Sequence, residues 1–217
     1  MNKINRYLRN LRPYKVASHK IWSVDPNERK KVLKLDWNEA TYQASPNVLN
    51  RLRNLLENDC LNYYPSTYNA ELYEKLSSYV GLPKENIQYF ASSDSLHEYI
   101  AKMFISVGDP ILIVWPSYDN FRLTAEVSGA NVFYFNLNDD FSFDYEKFEK
   151  TINEKSPSLI YICNPNNPTG FVLNKRYIEK LLIEYPDIMF LIDEAYIEFC
   201  PENTTSSLVR KYENIFQ

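Results

Sequence analysis

Glycine is scarce in this chain. Its 217 residues include only four, Gly81, Gly108, Gly129 and Gly170, where ordinary composition supplies roughly 7%. No two stand two residues apart, so neither a G-x-G dinucleotide loop nor a Walker-type phosphate loop exists here. Cysteine is nearly as rare. Cys60, Cys163 and Cys200 are odd in number, widely spaced and never arranged as C-x-x-C. That argues against a disulfide scaffold and for a reducing compartment, so a cytoplasmic location is expected. The two histidines, His19 and His97, lie too far apart to build a zinc site with cysteines so scattered, and they leave a His-dependent triad poorly supplied. Long apolar runs are missing too. The longest, such as residues 111–115, fall far short of the roughly 18 residues that span a bilayer, so no membrane partner is expected.

What remains is ordinary for a soluble globular protein. Apolar residues make up 45% and charged residues 24%, enough to bury a core in one large domain or two small ones. A net charge of −4 argues against general nucleic-acid binding. The charge is unevenly spread: residues 1–34 carry +8 and residues 35–217 carry −12. The basic stretch lacks the apolar core and cleavage site of a secretory signal. Arg6, Arg9 and Arg12 allow a transit peptide, but a solvated or partner-embracing arm is the plainer reading. Residues 1–45 are therefore expected to form an N-terminal arm and residues 46–217 the main domain.

Four short apolar runs, 111–115, 132–135, 159–163 and 188–192, are rich in Ile, Val, Phe and Tyr and too short for helices. They read as buried strands, and residues 87–90 read as a further one. Helical spacing covers 46–57, 70–80, 95–107, 118–128, 145–154 and 174–185. Strand–helix alternation of this kind predicts an α/β fold, a mainly parallel sheet flanked by helices. Such sheets bind ligands beyond the carboxyl ends of their strands. Polar or aromatic clusters follow four of the strands here: Ser92 to Ser95, Pro116 to Tyr118, Asn164 to Gly170 and Asp193 to Tyr196.

Each cluster has a plain reading beside a functional one. Ser93, Asp94 and Ser95 open a helix, where unpaired N–H groups attract anions such as phosphate; simple N-capping needs no ligand. Asp193 ends an apolar run, where a carboxylate requires a positive partner. A protonated heterocycle would serve, as would a cap or a structural ion pair. Tyr196 can aim its hydroxyl at the same ligand or simply pack. The 164–170 stretch is a turn by composition, and a cis bond between Asn167 and Pro168 is tolerated only where the fold fixes it. Tyr118 offers a flat face to a ring, although a buried aromatic is the commoner fate.

Together these residues carry a resemblance. The order Tyr64-Pro65, Ser93-Asp94, Pro116-Ser117-Tyr118, N-P-N-N-P-T-G at 164–170 and D-E-A-Y at 193–196 resembles the fold-type I, pyridoxal-phosphate-dependent aminotransferases of classes I and II. The histidinol-phosphate aminotransferase branch is the most similar. The segment from Lys34 to Glu39 followed by Ser45-Pro46 is similar to that branch's arm. The resemblance runs from about residue 34 to the C-terminus.

It implies a role for each position. Asp193 would pair with the pyridinium nitrogen of pyridoxal 5′-phosphate, keeping it protonated as an electron sink. Asn167 and Tyr196 would hydrogen-bond the ring's phenolic oxygen, and Tyr118 would stack on its face. The N–H groups of Asp94 and Ser95, with Ser93 nearby, would hold the phosphate. Tyr64 would reach the phosphate of the partner subunit's cofactor, implying a homodimer. Asn38 lies where the family's arm approaches substrate. The implied reaction moves an amino group between an amino acid or amino phosphate and a 2-oxo acid. The alternatives to that reaction are a threonine-phosphate-type decarboxylase, or a non-catalytic remnant that binds cofactor weakly or dimerises.

The sequence departs from the family twice. Its phosphate segment reads F-A-S-S-D-S at 90–95, in place of a glycine-rich loop ending in an acidic pair. In the family, the Schiff-base lysine and the arginines for phosphate and carboxylate lie downstream of D-E-A-Y. This chain ends at Gln217, ahead of the expected Ser-Lys segment, so no catalytic residue is assigned in it. The large domain is read as truncated, and no turnover is expected of this polypeptide alone.

Overall fold

A computed structural model describes residues 6–13, 20–40, 42–58, 62–64 and 69–217. His19, Cys60 and Pro65 lie outside the described residues. The chain forms two compact units, one drawn from residues 15–69 and the other from 1–14 with 70–217. In the smaller unit, helix α1 (Pro46–Asn58) has no buried side chain. Upstream of it, Lys34 bridges Asp36 at 3.0 Å and also pairs with Glu39.

The larger unit is the α/β part. Helices α2 (Ala70–Val80) and α3 (Ser93–Phe104) precede strand β1 (Pro110–Trp115). Alternation then follows: α4 (Asn120–Val127), β2 (Asn131–Asn136), α5 (Tyr145–Lys155), β3 (Leu159–Cys163), α6 (Lys175–Glu184) and β4 (Met189–Asp193). A short helix α7 (Ser206–Val209) and strand β5 (Ile215–Phe216) come last. The sheet order is β2-β1-β3-β4-β5, and every pairing is parallel. The direction of winding reverses between β1 and β3, which is where open sheets of this kind leave a crevice at their carboxyl ends.

Strands buried on both faces account for the continuous apolar runs. Leu112, Val114, Ile160, Ile162, Phe190 and Ile192 face one core, shared with α5 and α6. Ile111, Ile113, Leu159, Tyr161, Cys163 and Leu191 face the other, closed by Ile100 of α3 and Phe121 of α4. Register places Cys163 directly beside Asp193 at the carboxyl edge.

Several boundaries differ from expectation by a few residues, and three differences have a local reason. Residues 87–90 form no strand, because no ladder partner meets them among the described residues. Their aromatic pattern serves packing instead: Tyr89 meets Tyr73 of α2 edge-on at 5.5 Å, and Phe90 meets Tyr99 of α3 at 5.3 Å. Helix α3 starts at Ser93, two residues early, since Ser92 Oγ accepts the Ser95 N–H at 3.2 Å as N-cap. Strand β4 starts at Met189, because the Ile188 N–H is spent on the Tyr185 carbonyl at 3.1 Å. Asp193 thus becomes the last residue of the strand.

Candidate functional site

The tip of β4 sets a carboxylate in a largely apolar surround. Asp193 is 9% exposed. Its Oδ2 accepts the Tyr161 hydroxyl at 2.8 Å and its Oδ1 accepts the Ala195 N–H at 3.1 Å. Tyr161 projects from β3, wholly buried; burial, then the Asp193 charge, pushes its phenol well above the ordinary range. It is therefore a donor at any working pH. His97 of α3 brings Nε2 to 3.6 Å from Oδ2. Burial lowers the pKa of its imidazole, against the pull of Asp193 and Asp94, which favours the neutral ring beside the carboxylate. Among the described residues no lysine or arginine lies within 4.0 Å of Asp193. Cys163, alongside, has its thiol pushed up to about 12 by burial and then by Asp193, which leaves it inert as a nucleophile.

The turn after β3 is built from its asparagines. Asn164 is fully buried and holds Leu173 twice, donating Nδ2 to the carbonyl at 3.1 Å and accepting the N–H at 2.7 Å. Asn166 donates Nδ2 to the Pro116 carbonyl at 2.8 Å and to Thr169 Oγ1 at 2.7 Å. That bond crosses the winding reversal and ties the β3 turn to the β1 turn. Its Oδ1 is buried without a hydrogen-bond partner. Gly170, at φ +70°, closes the turn by donating to the Asn166 carbonyl at 2.8 Å, a left-handed position that suits glycine. Asn167 sits half-buried between Asn166 and Pro168, and the bond to Pro168 is cis.

A hydrogen bond joins the β1 turn to the start of α3. The Tyr118 hydroxyl donates to Asp94 Oδ1 at 3.1 Å, which fixes the tilt of the ring. The N–H groups of Ser93 and Asp94 have no acceptor within the helix, whereas that of Ser95 is engaged by Ser92. Tyr196 is half-buried in the turn after β4. Asn38 and Tyr64 belong to the smaller unit and are exposed, Tyr64 almost completely.

The structure thus joins Asp94 to Tyr118 directly, and sets His97 beside Asp193 and within the electrostatic reach of Asp94. Two contributors, Tyr161 and His97, escape a reading of motifs alone. Tyr161 sits two residues before Cys163 on the same strand face, a period-two signal hidden inside an apolar run. His97 follows Asp94 by three positions on α3, nearly one turn. Glu194 binds the following segment rather than a ligand. Its Oε1 accepts the Thr205 N–H and hydroxyl at 2.6 and 2.7 Å, and its Oε2 accepts Thr204 Oγ1 at 2.8 Å and Gln217 Nε2 at 2.6 Å.

A cationic heterocycle carrying a phosphate matches this donor set. The buried carboxylate lacks a cation among the described residues, Tyr118 is tethered to Asp94, and a helix N-terminus supplies N–H groups to an anion.

Known proteins resemble this chain over most of its length. The family model for aminotransferase class I and II matches residues 30–216. A dihydroxyacetone phosphate transaminase of Campylobacter jejuni is 41% identical over 212 residues, covering 97% of this chain and 57% of its own length. A histidinol-phosphate aminotransferase of Ruminiclostridium cellulolyticum is 34% identical over 192 residues, 87% of this chain and 53% of its own. The crystal structure of histidinol-phosphate aminotransferase from Sinorhizobium meliloti in complex with pyridoxal-5′-phosphate matches with a TM-score of 0.74. That match covers 94% of this chain and 54% of the other at 20% identity, and it speaks for the fold. The chain spans about half the length of the relatives it matches. From residue 30 onward the match is nearly continuous, and on that evidence the chain belongs to the class I and II aminotransferases.

Proposed function

We propose that the carboxyl edge of this sheet holds pyridoxal 5′-phosphate for a transamination, with residues 1–45 as arm and 46–217 as cofactor domain. The observation that carries the reading is Asp193, a nearly buried carboxylate with two neutral donors and, among the described residues, no lysine or arginine on it. When bound, pyridoxal phosphate supplies an electron sink for negative charge developing on the substrate carbon. The protein's share is orientation and proton control. Asp193 holds the proton at the ring nitrogen, while Tyr161 and the Ala195 N–H fix the carboxylate. Tyr118, tethered by Asp94, covers one face of the ring. Asn167 and Tyr196 donate to its phenolic oxygen.

The N–H groups at the start of α3, from Ser93, Asp94 and Ser95, receive the phosphate. Ser95 does so by exchanging its 3.2 Å bond to Ser92. Tyr64 reaches the phosphate across a homodimer, and its near-complete exposure suits that task. Asn38 meets substrate.

The two sequence relatives act, by name, on dihydroxyacetone phosphate and histidinol phosphate. Both names specify a phosphorylated carbon chain. That supports a phosphorylated amino or oxo compound as one substrate, exchanged with an amino acid and its 2-oxo acid in the cytoplasm.

The test is a calorimetric titration with pyridoxamine 5′-phosphate, which cannot form imines with surface lysines. Saturable binding by the wild-type chain, weakened at least tenfold in Asp193→Ala, is the expected result. Equal affinity in the two proteins, or no wild-type binding, overturns the reading.

A further inference from the structure

One buried titratable group has no part in the reading above. His97 is 1% exposed, and its ring stands edge-on to Phe121 at 5.4 Å and to Tyr161 at 5.6 Å. Those two rings stack on each other at 4.7 Å, so the imidazole sits against a fixed aromatic pair. Its orientation sends Nε2 toward Asp193 Oδ2, the same oxygen that accepts the Tyr161 hydroxyl. On the other side Nδ1 is buried without a hydrogen-bond partner.

The two nitrogens therefore differ sharply. A proton on Nδ1 would be a buried N–H with nothing to receive it, a kind of orphan that proteins rarely keep. A proton on Nε2 points at a carboxylate. The charged groups facing the ring are Asp193 from β4 and Asp94 from its own helix. Tyr161 from β3 is the titratable hydroxyl beside it, with Cys163 and Tyr118 next to that phenol, while α4 presents only Phe121. A neutral donor has a specific merit here. It orients Asp193 without cancelling the negative charge that a ligand cation must meet, as a lysine or arginine would.

We propose that His97 is a positioning residue for Asp193: with Tyr161 it holds the carboxylate, through Nε2–H, in the orientation that receives a protonated ring nitrogen. The proposal rests on the reading that Asp193 meets that nitrogen. The 3.6 Å separation exceeds hydrogen-bond length, so the contact is electrostatic.

The test has two arms. The chain contains two histidines, so long-range proton–nitrogen NMR of the unloaded protein shows two imidazoles, and His97→Gln identifies which is which. The expected spectrum shows His97 as the Nε2–H tautomer between pH 6 and 8. An Nδ1–H tautomer, or an imidazolium at pH 7, overturns the proposal.

The second arm measures pyridoxamine 5′-phosphate affinity. His97→Leu, which keeps bulk but no donor, is expected to lose about tenfold, the effect of 1.4 kcal/mol. His97→Gln, which restores an N–H at similar reach, should stay within about threefold of wild type. In an Asp193→Ala background the Leu and Gln forms should be indistinguishable. A His97→Leu chain that binds as wild type does, or a folded His97→Gln chain as weak as His97→Leu, overturns the inference alone. A wild-type chain that does not bind overturns the cofactor reading and the inference with it.

Discussion

Among the described residues, two charged side chains, Arg122 and Asp193, are taken out of water, and the protein treats them in opposite ways. Arg122 on α4 is 1% exposed. Asp119 grips it with both oxygens at 2.7 Å, and Glu126 adds a third bond at 2.7 Å. The Asp119 bonds, with the surrounding negative charge, raise its pKa against the opposing effect of burial. Arg12 stands 3.9 Å from Asp119, so even the surplus negative charge is shared. Asp193 has a phenol, a backbone amide and a neutral imidazole for company, and no cation. A buried charge matched within two turns of its own helix is architecture. A buried charge left for something else to match marks a site.

The comparison breaks if the two residues respond alike to mutation. The largest expected effect is on binding: Asp193→Ala should weaken pyridoxamine 5′-phosphate by tenfold or more, while Arg122→Met leaves that affinity unchanged, as calorimetry would show. Stability should run the other way. Arg122→Met should cost about 2–3 kcal/mol, below the cost for a fully buried pair because Asp119 and Glu126 retain 20% and 29% side-chain exposure. A thermal melt would show this as a Tm lowered by roughly 4–12 °C.

Glu194 sharpens the contrast from next door, since its oxygens are already filled. Glu194→Gln turns one acceptor into a donor facing Thr204 or Thr205. About 1–2 kcal/mol of stability should go, measured by urea unfolding, without tenfold loss of binding.

A smaller effect concerns pH. The His97 pKa is lowered in the folded protein by burial, so the unfolded chain binds the extra proton first. Stability is therefore lost as pH falls below about 6.5, with a slope of at most about 1.4 kcal/mol per pH unit. Comparing wild type with His97→Gln between pH 7.5 and 5.5 isolates that slope, which should be steeper in wild type. The smallest effect is on thiol chemistry. With Cys163 pushed up to about 12, native thiol counts at pH 8 should be the same for wild type and Cys163→Ala.

The sequence revealed the parts of this site that depend on local chemistry. Strands β1 and β3 are legible because burial on both faces leaves short unbroken apolar runs. The 164–170 turn is legible because Pro165, Pro168 and Gly170 restrict the backbone whatever surrounds them. Residues 87–90 mislead for the complementary reason: aromatic content suggests a strand, but a strand exists only if another chain segment pairs with it. Strand β5, with two residues, is too short to carry a period. The links that assemble the site are long-range. Tyr161 to Asp193 spans 32 positions and Asn166 to Pro116 spans 50, and nothing in either partner's own neighbourhood announces the other. His97 is hidden in the same way, since a lone histidine in a helix reads first as packing.

The central claim is that Asp193 keeps a ring nitrogen protonated, and nitrogen-15 NMR of ring-labelled pyridoxamine 5′-phosphate tests it most directly. With the wild-type chain at pH 8, the bound ring nitrogen should resonate as a pyridinium. With Asp193→Ala, whatever ligand binds should resonate as a neutral pyridine. A neutral ring nitrogen in the wild-type complex, or the same protonated signal in both proteins, would contradict the account.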